Sequence, residues 1–159
     1  MSQVGGDESG QFCRHKTFEM NNSKTITNFI EQIWNQQNFD RLEDFLHPDF
    51  MDHSLPPGAQ NGAEGLKSWI IATSQSFQHK TIVEDVVADV EKCVVRIRFD
   101  LIHFGTWRGM EATGERVNTN GFRMFRLKDG KIIEHWGLLN AQLIENGLKK
   151  TAKGCVVKG

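Results

Sequence analysis

The sequence lacks the features that would tie it to a nucleic acid or a membrane. Its 19 Lys and Arg residues nearly balance its 20 Asp and Glu residues, and the formal net charge is -1. No basic surface is therefore predicted that would bind a nucleic acid or an anionic membrane. No apolar run approaches the length of a membrane span, and the opening stretch MSQVGGDESGQ has no signal-peptide core. These absences favour a cytoplasmic protein.

Cysteine is also scarce. Cys13, Cys93 and Cys155 are an odd number of thiols at unrelated spacings, which predicts reduced thiols rather than a disulfide framework or a zinc site. Cys93 lies in a strand-like run and is interpreted as a small buried hydrophobic residue. No pair of His, Asp or Glu residues has convincing ligand spacing, so no metal site is expected.

What is present fits one soluble globular domain. The chain has 159 residues, of which 38% are hydrophobic and 25% charged. Residues 1–20 are polar and rich in Gly and Ser, which predicts a flexible leader. Residues 149–159 are interpreted as a C-terminal tail. The folded domain is therefore predicted to span residues 21–148.

Three segments in the first half of the chain carry apolar residues at helical spacing. The first covers residues 26–34, with Asn22 or Ser23 available to cap its free amides. The second covers residues 40–46, and the third covers residues 66–77. Between the last two, the stretch HSLPPGAQNGAEG holds two prolines and three glycines, which predicts a loop.

From about residue 79 the apolar period shifts towards two, which is typical of strands. Asp129-Gly130 between two of the strands is a strong hairpin signal, because glycine adopts the positive φ that a tight turn needs. Helices followed by long antiparallel strands predict an α+β domain, and a curved sheet wrapped over its helices would leave a cavity. The predicted strands are residues 81–90, 92–106, 115–127 and 131–143.

Alternation along two of these strands predicts how the cavity would be lined. On the second strand, the apolar residues from Val95 to Leu101 share one face, and His103 continues it. On the last strand, Ile133, His135, Gly137 and Leu139 are expected on one face. An apolar floor with imidazoles at its edge is typical of a small-molecule pocket.

Several ordered pieces of the sequence carry a family resemblance: NFDRLEDFLHPDF, then DHSLPPG and NGAEGLKSWI, then HFGTWRGMEATGE, and finally RLKDGKIIEHWGLLN. In this order and spacing they resemble the SnoaL-like polyketide cyclases of the nuclear transport factor 2-like superfamily. The resemblance covers roughly residues 23–148. It implies a cone-shaped, curved antiparallel sheet wrapped around N-terminal helices, a cystatin-like α+β barrel with an apolar pocket inside.

The resemblance also implies a chemistry. Cyclases of this family close a polyketide ester by an intramolecular aldol reaction without metal or cofactor, and an aspartate serves as general acid and base. Carried onto this sequence, the family histidine matches His135. The catalytic aspartate position falls on Gly137, and a second, often acidic position falls on Asn140.

Glycine cannot carry a proton, so the replacement at Gly137 leaves two interpretations open. In the first, His135 or His103 supplies the base for a cyclase or isomerase reaction on an apolar carbonyl compound. In the second, Gly137 enlarges the pocket or relieves a bend, and the protein binds a small ligand without catalysis. Restoring aspartate at position 137 is expected to create or raise cyclase-type activity if the rest of the site is intact.

The resemblance implies further ligand-binding residues around this pocket. His53 is expected at its mouth, while Trp107 and Met110 border its opening. Trp69, on the third helix, is the aromatic residue best placed to line the cavity. Trp136 is expected on the opposite face, where a large aromatic side chain suits the interface of a homodimer formed through the outer face of the sheet. The expected ligand is thus a small apolar molecule.

One different enzyme class also has support in the sequence. Arg98 and Asp100 lie two residues apart on one strand, as in the Arg-x-Asp of the limonene epoxide hydrolase-like branch of the superfamily. Strand alternation places both opposite the apolar floor, where a surface ion pair is the simpler interpretation. A β-bulge would reverse that placement.

Overall fold

The computed structural model describes residues 20–152 of the chain. The predicted leader lies outside the described residues except for residue 20, as do residues 153–159 of the predicted tail. We number four helices in chain order. They are α1 (residues 20–35), α2 (Leu42–Phe45, preceded by a 3₁₀ turn at Phe39–Arg41), α3 (Gly62–Ser76) and α4 (Ala141–Ala152).

Helix α4 differs from the prediction, which continued the last strand to residue 143. Ile144 and Leu148 are buried one helical turn apart, while Leu143 is exposed. This i, i+4 stripe holds the helix against the sheet. The helix continues to Ala152, within the segment that the sequence assigned to a tail.

Five strands form one sheet in the order β1-β5-β4-β3-β2. The sheet is curved and does not close, since β1 and β2 remain as its edges, and the fold is α+β. The strands are β1 (Leu46–Asp52), β2 (Phe77–Ala88), β3 (Lys92–His103), β4 (Arg116–Lys128) and β5 (Lys131–Leu139). Strand β1 was not predicted, and it pairs parallel to β5 whereas all other pairs are antiparallel. Because of Pro48 this segment did not resemble a strand, although an edge strand tolerates proline.

The hairpin between β4 and β5 confirms the predicted turn, with φ of 51° at Asp129 and 76° at Gly130. Just beyond it the register shifts between Arg126 and Leu127, so that β5 carries one extra residue. This bulge corrects the predicted inner face of the strand. Ile132, not Ile133, is buried beside His135.

The core lies between the concave face of the sheet and the helices. A larger cluster joins α1, α2 and α3 to β3, β4 and β5, and a smaller one packs α4 against β2, β3 and β4. Phe29 is central to the larger cluster, with edge-on contacts to Phe45 and Phe125. Cys93 is buried there as predicted. The space between the two clusters is not filled by side chains, and it forms the cavity described below.

Candidate functional site

A cavity of about 470 Å³ opens between the concave face of the sheet and α1, α3 and α4. Its size suits a small organic molecule. Its walls are mostly aromatic or aliphatic, and its floor carries three polar side chains from β1, β4 and β5. Prominent among the apolar wall residues are Trp34, Trp69, Phe77, Phe99, Trp107 and Leu139.

The floor is built from Asp52, Arg123 and His135, each of which exposes only 3% of its surface. Asp52 ends β1, and its carboxylate oxygen Oδ2 lies 2.9 Å from His135 Nδ1 on the neighbouring β5. The parallel pairing of β1 with β5 sets Asp52 directly opposite His135. A buried carboxylate that orients an imidazole is a common arrangement for a general base.

The contacts of the His135 ring define its tautomer. Arg123 Nη1 lies 3.4 Å from Nε2, and because a guanidinium can only donate, Nε2 must be the acceptor. Nδ1 then carries the proton and donates it to Asp52. His135 is therefore neutral with a lone pair on Nε2, the form in which an imidazole can accept a proton from a substrate.

The pKa directions agree with this assignment. Burial lowers the pKa of His135, and the nearby charge of Arg123 adds to that effect, together outweighing the hydrogen bond to Asp52 that raises it. For Asp52, burial is the largest influence and opposes ionisation, but the hydrogen bonds from His135 and Ser54 prevail and lower its pKa. The pair is thus a carboxylate and a neutral imidazole at neutral pH.

Arg123 brings a buried positive charge to the cavity floor. Burial lowers its pKa to about 10, so it remains a cation at neutral pH. Its guanidinium carbon lies 3.6 Å from the ring centroid of Trp34, which is a close cation–π contact. Trp34 reaches this position from a π-helical segment, Ile30–Asn35, at the end of α1. The Arg123 Nε group has no hydrogen-bond partner among residues 20–152.

Ser54 links the two strands that carry the Asp52–His135 pair. Its hydroxyl donates to Asp52 Oδ1 at 2.6 Å, and its backbone amide donates to the same oxygen at 2.9 Å. The Ser54 hydroxyl oxygen in turn accepts a hydrogen bond from the Gly137 amide at 2.9 Å. Asn61 extends the network, because its side chain accepts from the amides of both Asp52 and Gly62. The carboxylate orientation is therefore fixed from two sides.

Gly137 faces the cavity next to the imidazole. A Cβ atom there would lie 3.5 Å from His135 Nε2, 3.4 Å from His135 Cε1 and 3.3 Å from Ser54 Oγ. The position lies outside the positive-φ region, so backbone strain does not require glycine. The absence of a side chain leaves the wall beside the Nε2 lone pair open.

A family model described as SnoaL-like polyketide cyclase matches residues 24–147, which is most of the chain. This protein belongs to the SnoaL-like polyketide cyclase family. A search of the curated proteins found no match to the sequence.

Solved structures share the fold of this SnoaL-like chain. A SnoaL-like polyketide cyclase from Agrobacterium tumefaciens is 20% identical, with a TM-score of 0.67 over 80% of this chain and 97% of that one. IdmH from Streptomyces antibioticus, a candidate polyketide cyclase, is 24% identical, with a TM-score of 0.73 over 80% and 98%. AclR from Streptomyces galilaeus, a candidate hydroxylase, is 20% identical, with a TM-score of 0.70 over 83% and 98%. Likeness at these identities shows the fold alone.

The structure of this SnoaL-like protein does not bring His103 to the cavity. The imidazole is fully buried at the end of β3 and is not among the cavity-lining residues. Its Nδ1 accepts a 3.3 Å hydrogen bond from the Thr113 amide, and its ring packs on Phe77 with centroids 5.1 Å apart. The contacts of His103 hold the segment after β3 in place. His135 is the predicted imidazole that lines the cavity.

The other predicted ligand residues divide into two groups. Trp69, Trp107 and Gly137 line the cavity. The lining does not include the remaining three, His53, Met110 and Asn140.

Each of those three residues has another role in the structure. His53 stacks on Trp136 with ring centroids 4.6 Å apart, and its Nε2 lies 3.1 Å from Glu134 Oε1. Met110 pairs with Trp107 across a tight turn. The carbonyl of Asn140, between β5 and α4, accepts a 2.7 Å hydrogen bond from the Thr119 hydroxyl.

The epoxide hydrolase-like hypothesis finds no support in the placement of its residues. Arg98 Nη1 and Asp100 Oδ1 form a 2.9 Å ion pair with both side chains partly exposed, and neither residue lines the cavity. No bulge interrupts the pairing of β3 with β4, so the predicted alternation holds. The pair is a surface interaction of β3.

Sequence reasoning did not assign a site role to Arg123, although the signal was present. Val117, Thr119, Arg123, Phe125 and Leu127 alternate along β4, and all of them are buried. Strand parity alone places the arginine inside. The pairing of Asp52 with His135 could not be anticipated, because strand β1 was not predicted.

Two further observations concern metal ions and membranes. In the stretch from residue 20 to residue 152, no group of three His, Cys, Asp or Glu side chains converges in a way that could hold a metal ion. Within the same stretch, no helix is long and apolar enough to cross a membrane.

Proposed function

We propose that this protein catalyses a cofactor-independent acid/base reaction, of the cyclase or isomerase type, on a small carbonyl compound held in the cavity. His135 is the base, Asp52 orients it, and Arg123 stabilises the oxygen on which negative charge develops. The observation that carries the proposal is the buried row Asp52–His135–Arg123 on the floor of an otherwise apolar chamber.

The first step is removal of a proton from the carbon next to the carbonyl. The proton passes to His135 Nε2, and the electron pair of the broken C–H bond moves to the carbonyl oxygen, giving an enolate. The enolate carbon can then attack a second carbonyl, which closes a ring, or take a proton back at another position. Either outcome returns the proton from the imidazolium.

The charges of the floor favour a substrate whose reacting end is neutral. At rest, one arginine cation faces one carboxylate across a neutral imidazole, so the buried site carries no net charge. Proton transfer makes the imidazole positive and the substrate oxygen negative, and the total stays zero. A substrate that brought a carboxylate to the floor would add an uncompensated buried charge, which is costly.

The Arg123–His135 contact couples the base to the enolate. At 3.4 Å it is a long, weak hydrogen bond, which a substrate can displace. Once Nε2 holds a proton it can no longer accept from Arg123 Nη1. The N–H group is then free for the enolate oxygen at the moment when charge appears there.

Exchange of acidic C–H protons for deuterium tests the proposal without knowledge of the natural substrate. The neutral ketone 2-acetylnaphthalene is a suitable probe, and its binding can be followed by quenching of the cavity tryptophans Trp34, Trp69 and Trp107. We expect the protein in deuterated buffer to speed exchange of the acetyl protons, measured by proton NMR. If the bound ketone exchanged no faster than the free ketone, the protein would be a binder without this chemistry.

The space beside Gly137 gives the first prediction. In Gly137→Ala, the added methyl would lie 3.5 Å from His135 Nε2. It would also lie 3.3 Å from Ser54 Oγ, which is closer than an ordinary van der Waals contact. We expect it to hinder approach to the base and to lower the exchange rate about tenfold, with little change in melting temperature. Rate and thermal unfolding are measured on the same samples.

An unchanged rate in Gly137→Ala would show that substrate approaches His135 from another side. Gly137→Asp is the companion variant, because it returns the family carboxylate to this wall. If aspartate restores exchange that alanine loses, a base at either position can serve the reaction.

The predicted homodimer has a candidate surface on the convex side of β4 and β5. Phe122 and Leu138 face each other across the two strands and are 53% and 74% exposed. The adjacent pair, Met124 and Trp136, extends this apolar strip. We propose that the strip is covered by a second copy of the chain, since large exposed apolar patches mark interfaces.

Leu138→Lys tests the dimer. A buried lysine in the middle of the strip would be unpaired, so we expect dissociation to a monomer at micromolar concentration, measured by light scattering after size exclusion. Leu143→Lys is the matched control, because Leu143 is also exposed but belongs to α4 and not to the two strands of the strip. A wild-type protein that is already monomeric would refute the dimer.

A further inference from the structure

The mouth of the cavity is formed partly by a tight hairpin turn between β3 and β4. Trp107 and Met110 exchange backbone hydrogen bonds of 2.9 Å in both directions, with Arg108 and Gly109 as the central pair. Their φ angles of 49° and 75° define a turn of type I′. Asn, Asp and Gly are the residues that normally occupy the first central position, because a longer side chain is strained at positive φ. Arginine is therefore an unusual residue at this position of the turn, which points to a role for its side chain.

The side chain of Arg108 is held over the cavity. It lines the chamber, and its guanidinium carbon lies 4.9 Å from the ring centroid of Trp107, another lining residue. Its Nη1 donates a 2.6 Å hydrogen bond to Glu145 Oε1 on α4. Among the residues that the structure describes, no second acceptor takes its remaining N–H groups. A guanidinium has five such groups in a planar fork that matches a carboxylate.

The local charges leave a positive excess at the mouth. Lys149 Nζ approaches the other oxygen of Glu145 at 3.5 Å, so two cations share one carboxylate. The hydrogen bond from Arg108 lowers the pKa of Glu145, which keeps that carboxylate ionised. The cavity thus has a neutral floor and a positively charged mouth, with apolar walls in between.

We propose that Arg108 is a specificity residue that binds a carboxylate of the substrate at the mouth of the cavity, in partial exchange for Glu145. The substrate class is then an aromatic keto acid, whose neutral carbonyl reaches the floor while its acid group stays at the rim. The placement of the substrate carbonyl on the floor rests on the function proposed above. The placement of the substrate carboxylate rests on the hairpin and does not require catalysis.

A matched pair of probes separates the acid group from the rest of the ligand. These are 6-acetyl-2-naphthoic acid and its methyl ester, with dissociation constants from tryptophan quenching. We expect the wild-type protein to bind the acid about fivefold more tightly than the ester, which is typical of a partly exposed ion pair. Added salt should reduce the preference for the acid and leave the affinity for the ester nearly constant.

Two variants identify Arg108 as the origin of that preference. Arg108→Asn removes the cation but keeps a residue that suits positive φ, so the turn is preserved and the preference for the acid should disappear. Glu145→Gln removes the competing carboxylate, so binding of the acid should tighten by about threefold or more. A simple clamp between the hairpin and α4 predicts the opposite for Glu145→Gln, because loosening the mouth would weaken both probes equally.

Equal affinity of the wild-type protein for acid and ester would overturn the proposal, as would equal weakening of both probes in either variant. Failure of the catalytic proposal is distinguishable from this. A protein without deuterium exchange that still prefers the acid through Arg108 retains the specificity site and lacks the chemistry. A protein that exchanges the acetyl protons of both probes without preferring the acid has the chemistry and lacks the specificity site.

Discussion

Asp52→Asn is expected to reduce α-proton exchange by about 10³-fold or more while leaving the fold intact. The reason lies in the two hydrogen bonds that Ser54 donates to Oδ1. An asparagine would keep its oxygen towards these donors, which turns its NH₂ group towards His135 Nδ1. The imidazole must then accept at Nδ1 and carry its proton on Nε2, where it faces Arg123 and cannot act as a base. A tautomer reversed in this way costs a comparable histidine base about 10⁴-fold.

The pH profile gives the same prediction a second readout. In the wild-type protein, exchange should rise as His135 loses its proton and should level off below the ordinary pKa of histidine, because burial lowers the pKa of this group. In Asp52→Asn the supporting negative charge is gone, so the His135 pKa should fall further. The His135 pKa of the wild-type protein and that of Asp52→Asn can each be measured by NMR titration of the imidazole. A merely structural role for Asp52 would alter stability without moving the profile in this direction.

His135→Gln is the matched control for the loss of the base, and exchange should fall to the level of Asp52→Asn. The double variant should be no slower than either single variant, because the two residues act as one unit. Circular dichroism and thermal unfolding establish that each variant is folded. Substantial exchange in His135→Gln would assign the base elsewhere and end the proposed mechanism.

The sequence predicted those parts of the molecule that depend on local patterns. The order of α1 to α3 and of β2 to β5 follows from apolar periodicity, and the Asp129-Gly130 turn follows from backbone preference. The inward direction of His135 also follows from alternation. These signals are local, because each depends on residues that are neighbours along the chain.

The parts that the sequence did not predict depend on long-range pairing. Asp52 comes within 2.9 Å of His135 only because β1 joins β5 in parallel, and 83 positions separate the two residues along the chain. A local pattern contains no information on that pairing, and Pro48 makes β1 look like a loop. His103 illustrates the opposite case. Its strand face was predicted correctly, but its place behind the cavity wall depends on how Phe77 and Thr113 pack around it.

The glycine at position 137, where the family resemblance implies an aspartate, fits this proposed arrangement. In the proposed mechanism, the Asp52 carboxylate on β1 contacts His135 at Nδ1 and leaves the Nε2 side of the ring to the ligand. A carboxylate at position 137 would instead lie beside Nε2 and Arg123. The wall with Gly137 is therefore compatible with a histidine base, whereas a wall with aspartate would compete for the same two groups.

Arg123→Met should lower the exchange rate by about 10²- to 10³-fold, which is the usual loss when one oxyanion donor is removed. The variant should also raise the His135 pKa, because the positive charge of Arg123 lowers it in the wild-type protein. The pH at which exchange levels off would thus move upward, opposite to Asp52→Asn. The same imidazole titration by NMR measures this shift.

Stability must be measured alongside the rate, because Arg123 is the cation that compensates buried Asp52. Breaking a buried charge pair costs about 3–5 kcal/mol, and part of that cost is recovered here if His135 takes up a proton. Arg123→Lys separates the two effects, since it keeps the charge and loses the fork over Trp34. We expect this variant to be nearly as stable as the wild-type protein but still at least about tenfold slower in exchange. If Arg123→Met and Arg123→Lys both exchanged at the wild-type rate, the guanidinium would serve only to balance Asp52, and the enolate would need another donor.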